Sequence, residues 1–193
     1  MNESKHKVVL LGDPYVGKTS IMHRLTCDSY ISEYNSTIGT GFGNWKIGST
    51  VLQIWDTGGQ EKYKSLGGIY YQNSEAAIVV CSKENLSSLK NIDFWVQNYE
   101  SVVGNDSMVV IVANKKDSPM TTDLEEVEFK RLTKWAKERG FSLYETSAKT
   151  GENVEEIFKM VAQTLQTKRN SPNKFVIHPS VLSRSAEKCG NCC

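Results

Sequence analysis

A short segment near the N-terminus restricts most strongly how this chain can fold. The pattern G-x-x-x-x-G-K-[ST] is matched by the run Gly12-Asp13-Pro14-Tyr15-Val16-Gly17-Lys18-Thr19-Ser20. An apolar run at residues 8–11 predicts a strand before this loop, and residues 19–25 predict a helix after it. Backbone N–H groups and a helix N-terminus can then hold a phosphate. The segment therefore predicts a strand–loop–helix unit that binds a nucleotide phosphate, and the alternative is a Gly-rich turn with an incidental lysine.

Two side chains of this loop have predicted roles in such a unit. Lys18 would reach the β- and γ-phosphates, and the hydroxyl of Thr19 would ligate Mg²⁺. Pro14 and Tyr15 occupy positions that lie against the phosphates, and a proline offers no N–H. The loop can spare that donor if the phosphates accept hydrogen bonds from residues 15–19. We therefore expect nucleotide binding to be retained.

Strand-like and helical patterns alternate along the chain and predict an α/β fold. Apolar runs at residues 76–81, 108–113 and 141–144 predict buried strands, and the runs 45–47 and 51–55 flank Gly48-Ser49 as in a hairpin. Helical patterns lie between them at residues 86–103, 124–139 and 154–168. We expect a six-stranded, mostly parallel sheet with one antiparallel hairpin strand and five helices on its two faces. In such sheets ligands bind at the carboxyl ends of the strands.

Length and charge divide the 193 residues into two parts. Residues 1–167 suit one domain, and residues 168–193 suit a flexible tail, with Pro172, Pro179 and scattered serines. Apolar runs are too short to cross a bilayer, and the polar N-terminus is unlike a signal peptide. The net charge of +1 comes from a mildly basic tail, so the domain itself is slightly acidic and unsuited to nucleic acid. Such a tail suits an anionic membrane surface, with a solvated, disordered tail as the alternative.

The second motif is the run Asp56-Thr57-Gly58-Gly59-Gln60-Glu61, which follows the strand 51–55. Asp56 can hold Mg²⁺ through a water molecule, opposite Thr19. Gly59 has no side chain to keep its N–H from a γ-phosphate, and Gln60 can orient an attacking water. The alternative is an ordinary glycine turn. Thr37, in the polar stretch before the hairpin, could add a second hydroxyl to Mg²⁺ when a γ-phosphate is present.

The third motif, Asn114-Lys115-Lys116-Asp117, follows the strand 108–113. The carboxylate of Asp117 can accept hydrogen bonds from N1–H and the exocyclic amine of guanine together, a pair that adenine does not offer. Because an unpaired buried carboxylate is costly, this selects GTP over ATP. A backbone N–H from the turn Thr146-Ser147-Ala148-Lys149 could reach the guanine O6. A P-loop kinase or ATPase is the less favoured alternative.

Together these motifs resemble those of small GTPases of the Ras superfamily. The residues that carry the resemblance are GDPYVGKT, Thr37, DTGGQ, NKKD and TSAK, in this order. Residues 34–42, residues 52–55 and Tyr70-Tyr71 resemble the Rab branch, and KYKSLGGIYYQNSEAAIVV resembles endosomal Rabs. The terminal Cys192-Cys193 resembles the double cysteine that Rabs have geranylgeranylated, which gives two lipid chains for stable anchoring.

The resemblance implies a P-loop NTPase G domain with a role for each matching residue. The catalytic residues would be Gln60 and Lys18, and the metal ligands Thr19, Thr37 and Asp56. The nucleotide-binding residues would be Gly12, Asp13, Pro14, Tyr15, Val16, Gly17, Lys18, Thr19, Ser20, Tyr30, Tyr34, Thr37, Gly59, Asn114, Lys115, Asp117, Ser147, Ala148 and Lys149. The effector-facing residues would be Ile38, Phe42, Trp55 and Tyr70, for whose aromatic members a partly buried core cluster is the alternative. The lipidated residues would be Cys192 and Cys193.

The function implied is that of a GTP-binding and GTP-hydrolysing switch that regulates vesicle trafficking, with Mg²⁺ as cofactor. Its partners would be an exchange factor, an activating protein, a GDP-dissociation inhibitor, a prenylation escort and effectors, with no nucleic acid. A monomer would act on the cytoplasmic face of an intracellular membrane, the endosome by preference, and cycle with the cytosol. The alternatives are a slow-hydrolysing, GTP-loaded binding module and a Ras- or Rho-type signalling GTPase.

Several positions depart from the Rab pattern. Gly41 stands where Rabs have a carboxylate, Cys81-Ser82-Lys83 replaces the sequence DIT, and Gly58 replaces a common alanine. Relatives have small residues where this chain has Pro14 and Tyr15, and bulk at the first of these positions can block the arginine that an activating protein inserts. We therefore expect activator-stimulated hydrolysis to be reduced or to use unusual partners.

Overall fold

The computed structural model describes residues 3–30, 40–58 and 67–170. Its six strands are β1 (Ser4–Leu11), β2 (Thr40–Ile47), β3 (Thr50–Thr57), β4 (Ala76–Ser82), β5 (Met108–Asn114) and β6 (Ser142–Glu145). The helices within these ranges are α1 (Lys18–Cys27), α2 (Gly67–Tyr71), α3 (Leu86–Lys90), α4 (Ile92–Val103), α5 (Asp123–Glu138) and α6 (Val154–Asn170). No helix in these ranges has the length and apolar character that a membrane span requires.

The strands form one sheet in the order β2-β3-β1-β4-β5-β6. Strands β2 and β3 pair antiparallel, with Phe42 opposite Trp55, and all other pairs are parallel. The predicted six-stranded, mostly parallel sheet with one hairpin is confirmed. The carboxyl ends of β1, β3, β4, β5 and β6 therefore share one edge, and the motifs that begin at Gly12, Asp56, Asn114 and Thr146 lie at the ends of β1, β3, β5 and β6.

Two apolar clusters cover the two faces of the sheet. Val8 and Leu10 of β1 lie in one cluster, which includes apolar residues of α1 and α6. Val9 and Leu11 lie in the other, which includes apolar residues of α4 and α5. Because side chains alternate along a strand, a strand buried on both faces reads as a continuous apolar run. For this reason the sequence alone predicts the central strands.

Helix α5 shows how local sequence fixes an element's ends. Thr122 caps its start: the threonine hydroxyl accepts a hydrogen bond from the Glu125 N–H, and the Glu125 carboxylate accepts from the backbone N–H groups of Thr121 and Thr122. The hydrogen bond from the backbone N–H of Thr121 lowers the pKa of the Glu125 carboxyl, and the hydrogen bonds from Thr122 and the Thr121 hydroxyl add to this effect. Gly140, with φ of 73°, follows the end of the helix as predicted.

The structure differs from the sequence expectation in two respects. The predicted helix 86–103 is divided into α3 and α4 at Asn91, so the described part of the chain has six helices rather than five. Asparagine often interrupts helices because its side chain hydrogen-bonds elsewhere, and here it bonds to Asp13. Strand β1 also begins at Ser4, four residues before the apolar run, because its polar start pairs with β3 from Thr50 onward.

Candidate functional site

The loop between β1 and α1 is shaped by two glycines in tight surroundings. Gly12 has φ of 135°, and a Cβ there would lie 2.0 Å from the carbonyl oxygen of Val80. Gly17 has φ of 96°, and a Cβ there would lie 2.3 Å from Asn114 Nδ2. Neither the left-handed backbone nor the space permits a side chain. The loop therefore packs against the ends of β4 and β5 by its backbone.

Tyr15 is the unusual residue of this loop. It has φ of 64° and is 64% exposed, although left-handed geometry costs a residue with a Cβ about 1–2 kcal/mol. The sequence had pointed to Pro14-Tyr15 as bulky, but it gave no sign of the left-handed backbone. The loop presents an aromatic side chain at a strained position on its outer surface.

Lys18, the first residue of α1, is buried at the centre of the loop. Its ammonium donates hydrogen bonds to the carbonyl oxygens of Gly12, at 2.9 Å, and Asp13, at 2.8 Å. Burial lowers the pKa of Lys18 to about 8, and the carboxylates of Asp56 and Asp13 oppose that shift. A buried cation encircled by its own loop is suited to a phosphate, which is a stronger acceptor than a carbonyl.

Thr19 and Asp56 place two hard oxygen donors next to Lys18. The Thr19 hydroxyl donates to Asp56 Oδ2 at 2.5 Å, and this joins α1 to the end of β3. Asp56 is fully buried, and its Oδ1 has no hydrogen-bond partner within the described residues. Burial raises the pKa of Asp56, although the Thr19 hydrogen bond and the charge of Lys18 act in the opposite direction. Oxygen ligands of this kind, with one buried oxygen left over, fit Mg²⁺.

The side chain of Asp13 is turned away from the centre of the loop toward α4. Its Oδ1 accepts a hydrogen bond from Trp95 Nε1 at 2.8 Å, and its Oδ2 accepts one from Asn91 Nδ2 at 2.7 Å. Sequence reasoning missed both partners, because they lie 82 and 78 positions away and belong to no motif. Only the backbone of Asp13 therefore borders the place predicted for the phosphates.

Asn114 joins the phosphate loop to the loops that follow β5 and β6. Its Nδ2 donates to the carbonyl oxygen of Val16 at 2.9 Å, and its Oδ1 accepts from the Thr146 hydroxyl at 3.2 Å and the Ala148 N–H at 3.1 Å. Asn114 is buried, and both polar atoms of its side chain form hydrogen bonds within the protein. The structure thus joins the phosphate loop, the motif at residues 114–117 and the turn at residues 146–149 through one asparagine.

Asp117 and the turn after β6 are also held together. The Ser147 hydroxyl donates to Asp117 Oδ1 at 2.6 Å, and the ammonium of Lys149 lies 4.0 Å from Oδ2. Arg24 of α1, which sequence reasoning missed, donates to the carbonyl oxygens of Ala148 and Lys149 at 3.0 and 2.8 Å. Lys115, with φ of 63°, pairs with Glu84 at 2.5 Å.

The remaining predicted residues lie at the margin or outside the described ranges. Tyr30 is exposed after α1. Phe42 is 50% exposed and meets Trp55 edge to face, with ring centroids 5.2 Å apart, whereas Trp55 and Tyr70 are partly buried against the second apolar cluster. The predictions that fall outside residues 3–30, 40–58 and 67–170 concern Tyr34, Thr37, Ile38, Gly59, Gln60, Cys192 and Cys193.

Comparisons of the sequence with a family model and with known proteins all indicate the same family. A model of the Ras family matches residues 7–167. The chain is 35% identical to the Ras-related protein Rab-5B of Plasmodium falciparum, with 86% of this chain and 80% of the relative covered. It is 36% identical to Rab-32D of Dictyostelium discoideum, at 90% and 80% coverage, and 35% identical to RABF2b of Arabidopsis thaliana, at 97% and 94%. The chain therefore belongs to the Ras family, as a divergent small GTPase of the Rab type.

Proposed function

We propose that this protein is a GTP-hydrolysing switch that regulates vesicle trafficking and that the loops after β1, β3, β5 and β6 form its nucleotide site. The observation that carries the proposal is the Asn114 side chain, which bonds to Val16 in the phosphate loop and to Ala148 in the turn after β6. These two bonds support the assignment of the phosphate-binding and base-binding motifs to one site. Hydrogen bonds of Asn114 then hold these two motifs at a defined distance from each other.

At the phosphate end, Lys18 and the N–H groups of the loop would neutralise and orient the β- and γ-phosphates. Thr19, Thr37 and Asp56 would hold Mg²⁺, which neutralises charge on the phosphate oxygens when bound. The buried, unpartnered Asp56 Oδ1 supports this assignment. Gln60 would orient the attacking water.

The response to a γ-phosphate would come from the two segments around Thr37 and Gly59. A hydroxyl of Thr37 and the N–H of Gly59 would both bind only when GTP is present. Hydrolysis would remove those contacts and release both segments. This gives the protein its two states.

At the base end, Asp117 would accept hydrogen bonds from the guanine N1–H and the 2-amine. The N–H of Ala148, which donates to Asn114 Oδ1 in this structure, would turn to O6 when the base binds. Lys115 and Lys149 would border the base, and Tyr30 would stack on it. The bond from Ser147 to Asp117 supports this, because it fixes the orientation of the carboxylate.

Exchanging the base tests the proposal. Wild-type protein should bind GDP far more tightly than ADP. Asp117→Asn should weaken GDP binding and favour xanthosine diphosphate, because the new amide can donate to the C2 carbonyl of xanthine. The control is Asp123→Asn, an exposed residue at the start of α5 that should leave both affinities unchanged. Equal affinity of the wild type for GDP and ADP would refute a guanine site.

We propose further that the protein acts on the cytoplasmic face of an endosomal membrane, as a monomer that cycles with the cytosol. Lipid on Cys192 and Cys193 would provide the anchor, and the partners would be an exchange factor, an activating protein, a GDP-dissociation inhibitor, a prenylation escort and effectors. Effectors would read Ile38, Phe42 and neighbouring aromatic residues, for which the half-exposed Phe42 ring on Trp55 is the support.

Localisation of the tagged full chain tests the anchor. We expect Cys192→Ser with Cys193→Ser to move the protein from endosomal membranes to the soluble fraction, with mass spectrometry of the wild-type C-terminus showing two prenyl groups. Cys27→Ser serves as the control, because Cys27 is an exposed thiol on α1. Membrane association that survives the double substitution would rule out these cysteines as the anchor.

The phosphate loop gives this switch its own hydrolytic behaviour. Pro14 has no N–H, and the exposed, left-handed Tyr15 projects bulk where an activating protein would approach. Single-turnover GTP hydrolysis should therefore respond less to an activator in wild type than in the variant with Pro14→Ser and Tyr15→Ala. Equal rates for the two proteins, with and without an activator, would contradict the idea.

A further inference from the structure

Lys83 forms an ion pair that the sequence motifs do not account for. It follows β4 directly, and its ammonium lies 2.5 Å from Oε2 of Glu145, the last residue of β6. Strand β5 lies between β4 and β6, so the pair spans the end of the strand that carries Asn114. The ammonium also lies 5.0 Å from the centre of the Phe129 ring.

The surroundings of this pair differ from those of an exposed ion pair elsewhere in the described residues. The side chains of Lys83 and Glu145 are 14% and 35% exposed, whereas those of Lys46 and Glu3, which pair at 2.7 Å at the other end of the sheet, are 58% and 46% exposed. Exposed pairs contribute little because water and salt screen them. A partly buried pair beside an aromatic ring is screened less.

Both partners are also attached to the loops that hold the base motifs. The backbone N–H of Lys83 donates to the carbonyl oxygen of Asn114 at 3.2 Å. Glu145 directly precedes Thr146, and its own carbonyl oxygen accepts from Asn153 Nδ2 at 2.8 Å. The ion pair therefore adds a side-chain link between the loop after β4, the end of β5 and the turn after β6.

We propose that Lys83 and Glu145 are positioning residues for guanine recognition. Together with the Ser147–Asp117 bond, the pair sets the separation between Asp117, on the loop after β5, and the Ala148 N–H, on the turn after β6. A guanine base requires both at once, since its 2-amine and O6 lie on opposite sides of N1. This proposal rests on the proposed nucleotide site and adds a determinant of its base specificity.

The test compares the dissociation rates of GDP and inosine diphosphate from the full chain. Inosine lacks the 2-amine that Asp117 would bind, so it reports the site without that contact. We expect Lys83→Met and Glu145→Gln each to raise the GDP dissociation rate about tenfold, which corresponds to about 1.4 kcal/mol. The rate for inosine diphosphate should rise by no more than about threefold, or about 0.7 kcal/mol.

Combination and reversal of the substitutions complete the test. The double variant should release GDP no faster than either single one, because the interaction is already lost. Lys83→Arg should behave as the wild type does, and Lys83→Glu with Glu145→Lys should recover part of the slow release. Lys46→Met is the matched control, with the same substitution in an exposed pair, and should leave both rates unchanged.

Two results would overturn the positioning role. One is a GDP dissociation rate in Lys83→Met and Glu145→Gln within twofold of the wild-type rate. The other is an equal rise for GDP and inosine diphosphate, which would mean that the pair supports the site only in general. The affinities of the wild type for GDP and ADP are measured before any variant is made. If the wild type did not prefer GDP, the nucleotide site as proposed would be wrong.

Discussion

Replacing Asp13 by alanine should loosen the phosphate loop from α4. The carboxylate accepts hydrogen bonds from Trp95 Nε1 and Asn91 Nδ2, at 2.8 and 2.7 Å. Asp13→Ala removes the carboxylate that accepts both of these bonds. We expect a lower free energy of unfolding and faster release of bound GDP, because the backbone of residues 12 and 13 borders the phosphate site.

The size of the effect follows from the chemistry of the two bonds. A hydrogen bond to a charged acceptor contributes about 1.5–3 kcal/mol, so the loss of two such bonds costs about 3 kcal/mol or more. Trp95 is buried, so its N–H has little access to water after the substitution. The free energy of unfolding should fall by about 3 kcal/mol, which for a domain of this size lowers Tm by roughly 6–12 °C.

The assay is urea or thermal unfolding at two fixed GDP concentrations. Bound GDP stabilises the protein by an amount that depends on its concentration, whereas loss of the tether does not, so the two contributions separate. Asp13→Asn and Asn91→Asp should each be destabilising, because the first places an amide against the Asn91 amide and the second places a carboxylate against the Asp13 carboxylate. Together they exchange donor and acceptor, and the double variant should be more stable than either single one. A change below about 0.5 kcal/mol in Asp13→Ala, the size typical of surface substitutions, would refute this reasoning.

Three further predictions concern other parts of the molecule. Gly17→Ala should abolish measurable GDP binding, because the new Cβ would lie 2.3 Å from Asn114 Nδ2 on a backbone with φ of 96°. Equilibrium binding measures this, with Gly48→Ala as the control because a Cβ there would meet open space. Near-normal affinity of Gly17→Ala for GDP would contradict the prediction. Thr122→Ala should lower the free energy of unfolding by about 1 kcal/mol through loss of the α5 cap without changing GDP affinity, and equal denaturant midpoints would contradict it. Burial raises the pKa of the Cys81 thiol to about 12, whereas Cys27 is exposed. A thiol reagent at pH 8 should therefore modify Cys27 in the folded protein and Cys81 only after unfolding. Peptide mapping that finds Cys81 modified in the folded protein would contradict this prediction.

The sheet could be predicted because its strands are buried on both faces. Strands β4 and β5 read as uninterrupted apolar runs, and the hairpin was visible as two runs around Gly48. The polar beginning of β1 was missed, since its pairing with β3 depends on backbone hydrogen bonds that leave no apolar pattern. The division at Asn91 was also missed, because a helix period says little about where one helix ends and the next begins.

The candidate site was predicted as a set of loops, but the contacts that join those loops were not. The motifs placed Lys18, Asn114 and Asp117 correctly at the carboxyl edge of the sheet. The bonds from Trp95 to Asp13 and from Arg24 to Ala148 join residues that are 82 and 124 positions apart. Such pairs depend on the packing of whole helices, and no local spacing encodes them.

The links around the phosphate loop differ in what a bound nucleotide would do to them. The Asp13–Trp95 and Asn114–Val16 hydrogen bonds lie outside the places proposed for phosphate and metal, so they can persist in every nucleotide state. The Thr19–Asp56 bond uses two of the three proposed metal ligands and has to change when the cation binds. Nucleotide binding would therefore leave the α4 and β5 sides of the loop fixed and act on the β3 side. Because Asp56 leads directly into the segment of Gly59 and Gln60, we expect the two states to differ there, and not in the core of the sheet.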